Sequence, residues 1–360
     1  MAVRKLGVLT SGGDCPGLNA VIRAIARHAV GNYGWELWGI AYATQGLLKR
    51  QAIALSPHHF DRQSLDPLLC SGGTILGSIN RGDTLAHQAE ILAGYQELGL
   101  DALIGIGGDG SLAILRQLAE AGRWQFIGIP KTIDNDVALT ERAIGFDTAI
   151  HTVAEALLSL GSTAASHDRI MIAEVMGRQS GHLALQGGIA GGADVILLPE
   201  IPYRLLELCH YLQQLRDRWQ RRYAVIAIAE GTHHPPEVTQ GPGSLGEQLV
   251  QAITAQDPTL DARVTVLGHV QRGGNPVASD RLLAAQMGYA AVERIAAGAS
   301  GEMMAWQGGR VVSVPLEAVC LQSPTLVDPH SLLVDTAAGL GIFLGDRSLT
   351  PWRGSACPTH

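Results

Sequence analysis

The sequence has little charge and few aromatic side chains: 16% of its 360 residues are charged and 5% are aromatic. Its five cysteines are scattered, with no CxxC pair or zinc-ligand spacing, which predicts reduced thiols in a cytoplasmic protein. No apolar run reaches the length of a membrane-spanning helix, and no signal-peptide core precedes the first predicted strand. The formal net charge of −7 argues against nucleic acid as the main partner. We therefore expect neither a nucleic-acid nor a membrane partner.

Apolar residues (46%) and glycine (44 residues) are abundant instead, and their order along the chain predicts the fold. Short apolar runs typical of buried strands occur at 6–10, 103–106, 126–129, 170–175, 195–198, 224–229 and 264–267. Segments with helical spacing lie between them, at 20–30, 112–121, 146–160 and 281–297. This alternation predicts an α/β protein with mainly parallel sheets covered on both faces, and the number of strands favours two lobes.

Nearly every predicted strand is followed by a polar, glycine-rich segment. These segments are 11–17, 107–111, 130–136, 176–181, 230–232 and 269–274. In open parallel sheets, ligands bind outside the carboxyl ends of the strands. We therefore expect the functional residues in these loops.

Two of the loops have the features of phosphate sites. In 10–20, TSGGDCPGLNA, two glycines separate a strand from a helix, so backbone N–H groups and the helix N-terminus would face an anion. A plain strand-to-helix turn is the alternative. In 107–111, GGDGS, Gly108 and Gly110 allow close approach of a polyphosphate, and Asp109 can bind Mg²⁺ or can simply cap the next helix.

Three further loops carry charged residues suited to phosphoryl chemistry. Asp134 and Asp136 lie two residues apart beside Lys131 and Thr132, so one could accept a hydroxyl proton while the other orients a metal-bound phosphate; a turn role is the alternative. Arg178 in 174–182 suits a phosphoryl group, unless it is a solvated loop residue. Segment 268–274, GHVQRGG, together with Arg263 indicates an anion pocket, although a histidine alone is more often structural.

In this order, the motifs resemble those of the bacterial ATP-dependent 6-phosphofructokinase family, over roughly residues 3–346. The segments that carry the resemblance are LTSGGDCPGLNA, IGGDGS, PKTIDND, SHDRI, EVMGRQSGH, AGGADVILLPE and LGHVQRGG. The resemblance implies two Rossmann-like lobes with mainly parallel sheets. It implies an ATP-binding lobe of residues 1–145 plus about 271–321, a fructose 6-phosphate-binding lobe of about 146–270 plus 322–346, and a tail at 347–360.

The resemblance also implies a role for each matching residue. Asp134 would be the general base, Asp136 would position the metal and the base, and Thr132 and Arg178 would contact the transferring phosphoryl group. Asp109 would bind Mg²⁺. The residues lining the ATP phosphates would be Gly13, Gly108, Gly110 and Ser111. Those binding the sugar phosphate would be Arg169, Met176, Gly177, Glu230, Arg263, His269 and Arg272, of which Arg169 and Arg263 would serve a neighbouring subunit's site. A homo-oligomer, usually a tetramer, is implied.

The sequence departs from the family pattern at several positions. Arg81 stands one place later than the ATP-contacting arginine of many members, and Lys131 replaces a glycine. Gly110 leaves room for a nucleotide, whereas pyrophosphate-dependent relatives have an aspartate there. At the family's effector site Arg23, Arg27 and Arg221 are retained and Asp194 keeps the acidic character of a glutamate, but Gly161 and Trp219 stand where the family has Arg and Lys. An exposed helix face is the alternative for Arg23 and Arg27. Alternatives are a pyrophosphate-dependent phosphofructokinase, another kinase with a Gly-Gly-Asp-Gly loop, and a catalytically silent nucleotide-binding subunit.

Overall fold

The computed structural model describes residues 5–55, 65–78, 84–238 and 241–345. The described parts of Met1–Thr148 and Arg272–Thr325 form one compact unit, here unit 1. The described parts of Ala149–Gln271 and Leu326–His360 form a second, unit 2. The expected tail at 347–360 lies outside the described residues. Among the helices within the described ranges, none has the length and apolarity needed to cross a membrane.

The described strands and helices alternate along most of the chain. The strands are β1 Lys5–Ser11, β2 Glu36–Ile40, β3 Ala52–Ala54, β4 Ala102–Gly107, β5 Gln125–Pro130, β6 Ile170–Val175, β7 Val195–Leu197, β8 Ala224–Ala229, β9 Ala262–Val266, β10 Glu302–Gln307 and β11 Arg310–Pro315. The α-helices are α1 Leu18–Tyr33, α2 Thr44–Lys49, α3 Gln88–Glu97, α4 Asp109–Gly122, α5 Phe146–His167, α6 His182–Ala190, α7 Leu205–Trp219, α8 Leu245–Gln256, α9 Ala278–Ala296, α10 Leu316–Gln322 and α11 Leu332–Gly339. Short 3₁₀ turns occur at Asp66–Leu69, Leu85–His87 and Gly268–Arg272.

The sheet of unit 1 has the strand order β11-β10-β5-β4-β1-β2-β3. Its inner strands run parallel, whereas β3 and β11 pair antiparallel at the two edges. Apolar side chains spaced three and four residues apart, such as Leu18, Ile22 and Ile25 of α1, are buried because they face this core. Helix α1 is capped by Gly34, whose left-handed φ of 64° lets the Gly34 N–H donate to the Val30 carbonyl and the Trp35 N–H donate to the Ala29 carbonyl.

The sheet of unit 2 has the order β7-β8-β6-β9, and all of its pairings are parallel. Strand β8 is buried along its whole length, as expected for an inner strand with helices on both faces. Helix α8 begins with a capping box, in which the Ser244 and Glu247 side chains each accept the other residue's backbone N–H.

The predicted α/β class with mainly parallel sheets is confirmed. The apolar runs fall on β1, β4, β5, β6, β7, β8 and β9, with ends that differ by a few residues. The sequence did not predict the edge strands β3 and β11 or their neighbours β2 and β10. In strand β11 only Val314 is buried, and Ser313 interrupts its valines, so it lacks a continuous apolar run.

Candidate active site

Three predicted loops of unit 1 emerge side by side at the carboxyl edge of its sheet. Ser11 at the end of β1 pairs with Gly107 at the end of β4, and Gly107 pairs with Pro130 at the end of β5. Loops 12–17, 108–111 and 131–136 therefore start from neighbouring points. Parallel pairing thus brings the two glycine loops next to the loop that carries Asp134 and Asp136.

Polar side-chain ends crowd the two glycines of the loop after β1. Gly12 has a left-handed φ of 87°, and a Cβ there would lie 2.9 Å from Ser111 Oγ and 3.1 Å from Lys131 Nζ. A Cβ on Gly13 would lie 3.0 Å from an Arg272 guanidinium nitrogen. A cavity of about 380 Å³ is lined here by Gly12, Gly13, Asp14, Thr74, Gly77, Ser78 and Arg272. The bare backbone and a guanidinium suit an anionic ligand.

The first turn of α4 is the second part of this site. Gly108 is extended and serves as the N-cap, with no side-chain cap bond, so Asp109 occupies the first helical position and the alternative that it is the cap does not hold. Gly110 is exposed, and a Cβ on it would meet nothing within 4 Å. Backbone N–H groups of a helix start, together with the half-buried Asp109, form a place for phosphate oxygens and a cation.

Lys131 is a buried cation that joins the loops. It is 4% exposed, and its Nζ donates a hydrogen bond to the Gly13 carbonyl. Its backbone N–H donates to the Gly107 carbonyl at 3.0 Å. The lysine therefore connects the ends of β1, β4 and β5 and places positive charge beside the glycine loop.

The loop after β5 holds its carboxylates out of bulk water. Asp134 and Asp136 are each 5% exposed, and the Asp134 N–H donates to Thr132 Oγ1 at 3.0 Å. Asn135 between them has a left-handed φ of 52°; its Nδ2 donates to the Glu141 carbonyl and its Oδ1 accepts from Ala143 N–H. Sequence reasoning missed Asn135. The signal was its residue type, because asparagine tolerates the left-handed region and bonds nearby backbone.

In unit 2, the loop after β6 is held by two polar side chains. Glu230 Oε1 accepts the Arg178 N–H at 2.8 Å and the Gly177 N–H at 3.3 Å. Gln271 is fully buried, and its Oε1 accepts the Met176 N–H at 3.2 Å. Arg178 has a left-handed φ of 53° on an exposed turn. Strand pairing places Met176, Gly177, Arg178 and Glu230 at one carboxyl edge, with the exposed His269 in the 3₁₀ turn after β9.

Arg169 and Arg263 lie at the opposite edge of the same sheet. Arg169 immediately precedes β6, and Arg263 is the second residue of β9. Both contact Asp261, with Arg169 Nε 2.8 Å from Oδ2 and an Arg263 guanidinium nitrogen 2.6 Å from Oδ1. Because β6 spans roughly 20 Å at about 3.3 Å per residue, neither reaches the Met176–Arg178 loop of its own chain.

The predicted effector residues form two separate ion-pair groups. Arg23 and Arg27 both contact Asp66, whose carboxyl has a lowered pKa chiefly because Arg23 donates a hydrogen bond to it. Asp194 is 7% exposed and lies 2.6 Å from Arg221. Burial raises the pKa of Asp194, although the Val225 N–H and the Arg221 charge oppose the shift.

Gly161 and Trp219, which stand where the family has basic residues, lie on two helices of unit 2. Trp219 is 56% exposed at the end of α7, and a Cβ on Gly161 would lie 3.6 Å from a Val225 methyl. Arg81 lies outside the described residues.

Comparison with known proteins identifies the family. A family model described as Phosphofructokinase matches residues 5–295. An ATP-dependent 6-phosphofructokinase of Thermosynechococcus vestitus is 58% identical over 352 residues, covering 97% of this chain and 95% of that protein. An ATP-dependent 6-phosphofructokinase of Trichormus variabilis is 56% identical over 358 residues, covering 96% of this chain and 99% of that protein.

Solved structures agree with this fold. Phosphofructokinase from Saccharomyces cerevisiae matches with a TM-score of 0.75 and 29% identity over 88% of this chain, which spans 44% of the yeast chain. A pyrophosphate-dependent phosphofructokinase from Nitrosospira multiformis matches with a TM-score of 0.83 over 98% of this chain and 94% of that one; at 19% identity this is a likeness of fold. The chain belongs to the phosphofructokinase family.

Proposed function

We infer that this chain transfers the terminal phosphoryl group of ATP to the 1-hydroxyl of fructose 6-phosphate, the committed step of glycolysis. The observation that carries the inference is the pair of buried carboxylates, Asp134 and Asp136, beside the glycine loops and Lys131. Full-length relatives named as ATP-dependent 6-phosphofructokinases support the same conclusion. A cytoplasmic location follows from a role in glycolysis.

In this proposal the loops of unit 1 bind the phosphates of ATP. The phosphates contact Gly13 and the first turn of α4, where Gly108, Gly110 and Ser111 leave the backbone accessible. Asp109 would hold Mg²⁺, which would neutralise charge on the phosphate oxygens. Within the described residues no cluster of three or more metal-ligating side chains occurs. Magnesium commonly binds one or two carboxylates together with substrate phosphates, and Asp109 is the carboxylate in the first turn of α4.

Asp134 accepts the proton of the attacking hydroxyl, and Asp136 orients Asp134 and would help to position the metal. Thr132 and Arg178 contact the transferring group, with Arg178 stabilising its charge through a planar, bidentate guanidinium. The sugar phosphate contacts Met176, Gly177, Glu230, His269 and Arg272. Catalysis of this kind depends mainly on positioning and charge stabilisation, with one base.

We further propose a homotetramer in which Arg169 and Arg263 complete the 6-phosphate site of a neighbouring subunit. Their position supports this, because both lie at the amino edge of the unit 2 sheet, away from the loop that carries Arg178. In this chain both arginines are paired with Asp261, which holds them at a partly exposed surface.

A coupled assay with fructose 6-phosphate tests the function, run in parallel with MgATP and with pyrophosphate. We expect turnover with MgATP, and turnover that is slower or absent with pyrophosphate. Faster turnover with pyrophosphate would favour the pyrophosphate-dependent alternative. No turnover with either donor in folded protein would favour a silent subunit.

We also propose that an anionic effector binds at a subunit interface through the family's effector positions, here Arg23, Arg27, Asp194 and Arg221. Responses to ADP and phosphoenolpyruvate are then weak or altered in ligand preference, because basic residues are lost at Gly161 and Trp219. Each lost charge-assisted contact weakens phosphate binding by about 1–3 kcal/mol. Fructose 6-phosphate saturation curves with and without each effector test this. Strong responses to both effectors would contradict it.

A further inference from the structure

A further buried carboxylate lies next to the loops of unit 1 that carry the predicted site residues. Asp280, in the first turn of α9, is fully buried. Its Oδ1 accepts the Gly145 N–H at 2.9 Å, and its Oδ2 accepts the Thr148 N–H at 2.8 Å and the Thr148 hydroxyl at 2.5 Å. Thr148 Oγ1 in turn accepts the Val277 N–H at 3.0 Å. The carboxylate therefore ties the start of α9 to the start of α5.

The segment that Asp280 holds is paired with the loop that carries Asp134. Ile144 N–H donates to the Pro130 carbonyl at 3.2 Å, and Thr132 N–H donates to the Ile144 carbonyl at 3.1 Å. Ile144 also forms a parallel bridge with Lys131. Ile144, the residue before Gly145, is thus paired by backbone hydrogen bonds with the segment at Lys131 and Thr132. The position of Gly145 therefore affects the position of the loop after β5.

The same segment packs against the glycine loop after β1. Cys15 Sγ donates to the Ile144 carbonyl at 3.2 Å. Gly145 has a left-handed φ of 99°, and a Cβ on it would lie 2.6 Å from both Cβ and Sγ of Cys15. A Cβ on Gly17 would lie 2.8 Å from an Ile144 methyl. Residues 144–145 are closely packed against Cys15 and Gly17, so a shift of these residues would displace both the loop after β1 and the loop after β5.

We propose that Asp280 is a positioning residue for phosphoryl transfer: through its bond to Gly145 it fixes Ile144, and Ile144 holds Thr132 and the glycine loop in their working geometry. This rests on the proposed kinase function. Asp280 touches neither substrate in this scheme. Its effect on the rate comes through the placement of groups that do, and small displacements of such groups lower rates strongly.

Because Asp280 is buried, a positioning role can be distinguished from a role in stabilising the fold. The buried environment raises the pKa of Asp280 to about 6, against hydrogen bonds from Thr148 and Gly145 that favour the charged form. Replacing the carboxylate by a neutral group of the same shape therefore removes a desolvation cost while it removes an acceptor. A loss of rate without a matching loss of stability is the signature of positioning.

Asp280→Asn is the main test. The asparagine oxygen can still accept from Thr148, but its NH₂ group then faces the Gly145 N–H, donor against donor. We expect kcat to fall by about 10- to 100-fold, with the KM values for ATP and fructose 6-phosphate changed less than about threefold. Hydrogen exchange of a peptide covering 143–148 should become faster, while the thermal midpoint stays close to that of the unchanged protein.

Two control variants separate the Gly145 bond from its surroundings. Thr148→Val removes the hydroxyl bond to the same carboxylate and the acceptor of the Val277 N–H, but it leaves the Gly145 bond, so kcat should stay within about twofold. Ser244→Ala removes a helix cap in unit 2 and should lower the thermal midpoint without lowering kcat. If Thr148→Val lowers kcat as much as Asp280→Asn does, the route through Gly145 is wrong.

Three other outcomes also bear on the proposal. An Asp280→Asn protein with kcat within twofold of normal and faster exchange at 143–148 overturns the proposal. So does an Asp280→Asn protein that fails to fold, since Asp280 would then be needed for stability. If the unchanged protein does not phosphorylate fructose 6-phosphate, the proposed function fails first, whereas the exchange experiment still reports whether Asp280 fixes residues 143–148.

Discussion

Replacing Gly110 with aspartate tests whether a nucleotide lies over the first turn of α4. Gly110 is exposed at the second helical position, and a Cβ there meets nothing within 4 Å, so the new side chain fits without a clash. Its φ is not left-handed, and an acidic residue near a helix N-terminus is favourable. The variant should therefore fold normally, and any loss of activity reflects the ligand.

The size of the effect follows from charge repulsion. A phosphate bound over the first turn would lie on the order of 5 Å from the new carboxylate, which at an effective dielectric constant of about 20 gives roughly 3 kcal/mol between unit charges. Residue 110 is exposed, so water screens part of this repulsion. We therefore expect kcat/KM for MgATP to fall by about 10- to 100-fold.

The assay measures kcat/KM for MgATP and for pyrophosphate in Gly110→Asp and in the uncharged control Gly110→Asn. If the reasoning is right, Gly110→Asp loses ATP use much more than Gly110→Asn does, and its preference shifts toward pyrophosphate, which has no α-phosphate or nucleoside to repel. Equal losses in both variants would show that bulk is responsible. Normal ATP use in Gly110→Asp would refute the placement of the nucleotide over α4.

Asp134→Asn should lower kcat by about 10²–10⁴ with little change in substrate binding, measured by steady-state kinetics; a near-normal kcat would remove Asp134 as the base. Mixing inactive Asp134→Asn and Arg263→Ala subunits should restore part of the activity in confirmed mixed oligomers, and no recovery would count against shared sites. The raised pKa of Asp280, about 6 against 3.8 ordinarily, predicts that its contribution to the free energy of unfolding is fully present below pH 3.8. That contribution is lost as pH rises through about 6. Urea titrations should therefore show the unchanged protein losing about 3 kcal/mol relative to Asp280→Asn between those pH values, and a pH-independent difference would contradict this.

The sequence predicted the inner strands well because their apolar runs end at polar, glycine-rich loops. Helix α5 was predicted only to residue 160, since Gly161 and Ser162 resemble a helix end. In the structure the helix continues to His167, with Ala164 fully buried, because packing outweighs the weak propensity of Gly161.

The motif residues of unit 1 could be placed from the sequence because each follows an inner strand. Asp280 could not be placed, since it looks like an ordinary acidic residue in the first turn of a helix. Its partner Gly145 lies 135 positions earlier in the chain, and only the packing of α9 against the start of α5 brings the two together. The motif that contains Arg169 could be recognised in the sequence, but the position of the residue could not. Arg169 precedes β6 and Arg178 follows it, so the strand separates the two residues.

If Arg169 and Arg263, at the amino edge of the unit 2 sheet, complete a neighbour's site as proposed, activity depends on protein concentration. With shared sites, a protomer that dissociates keeps its own base and glycine loops but loses the two cations that its neighbour supplied. Specific activity should then fall on dilution and return on reconcentration, since assembly follows mass action. A cell that makes too little of the chain would lose flux more steeply than in proportion to the amount of protein.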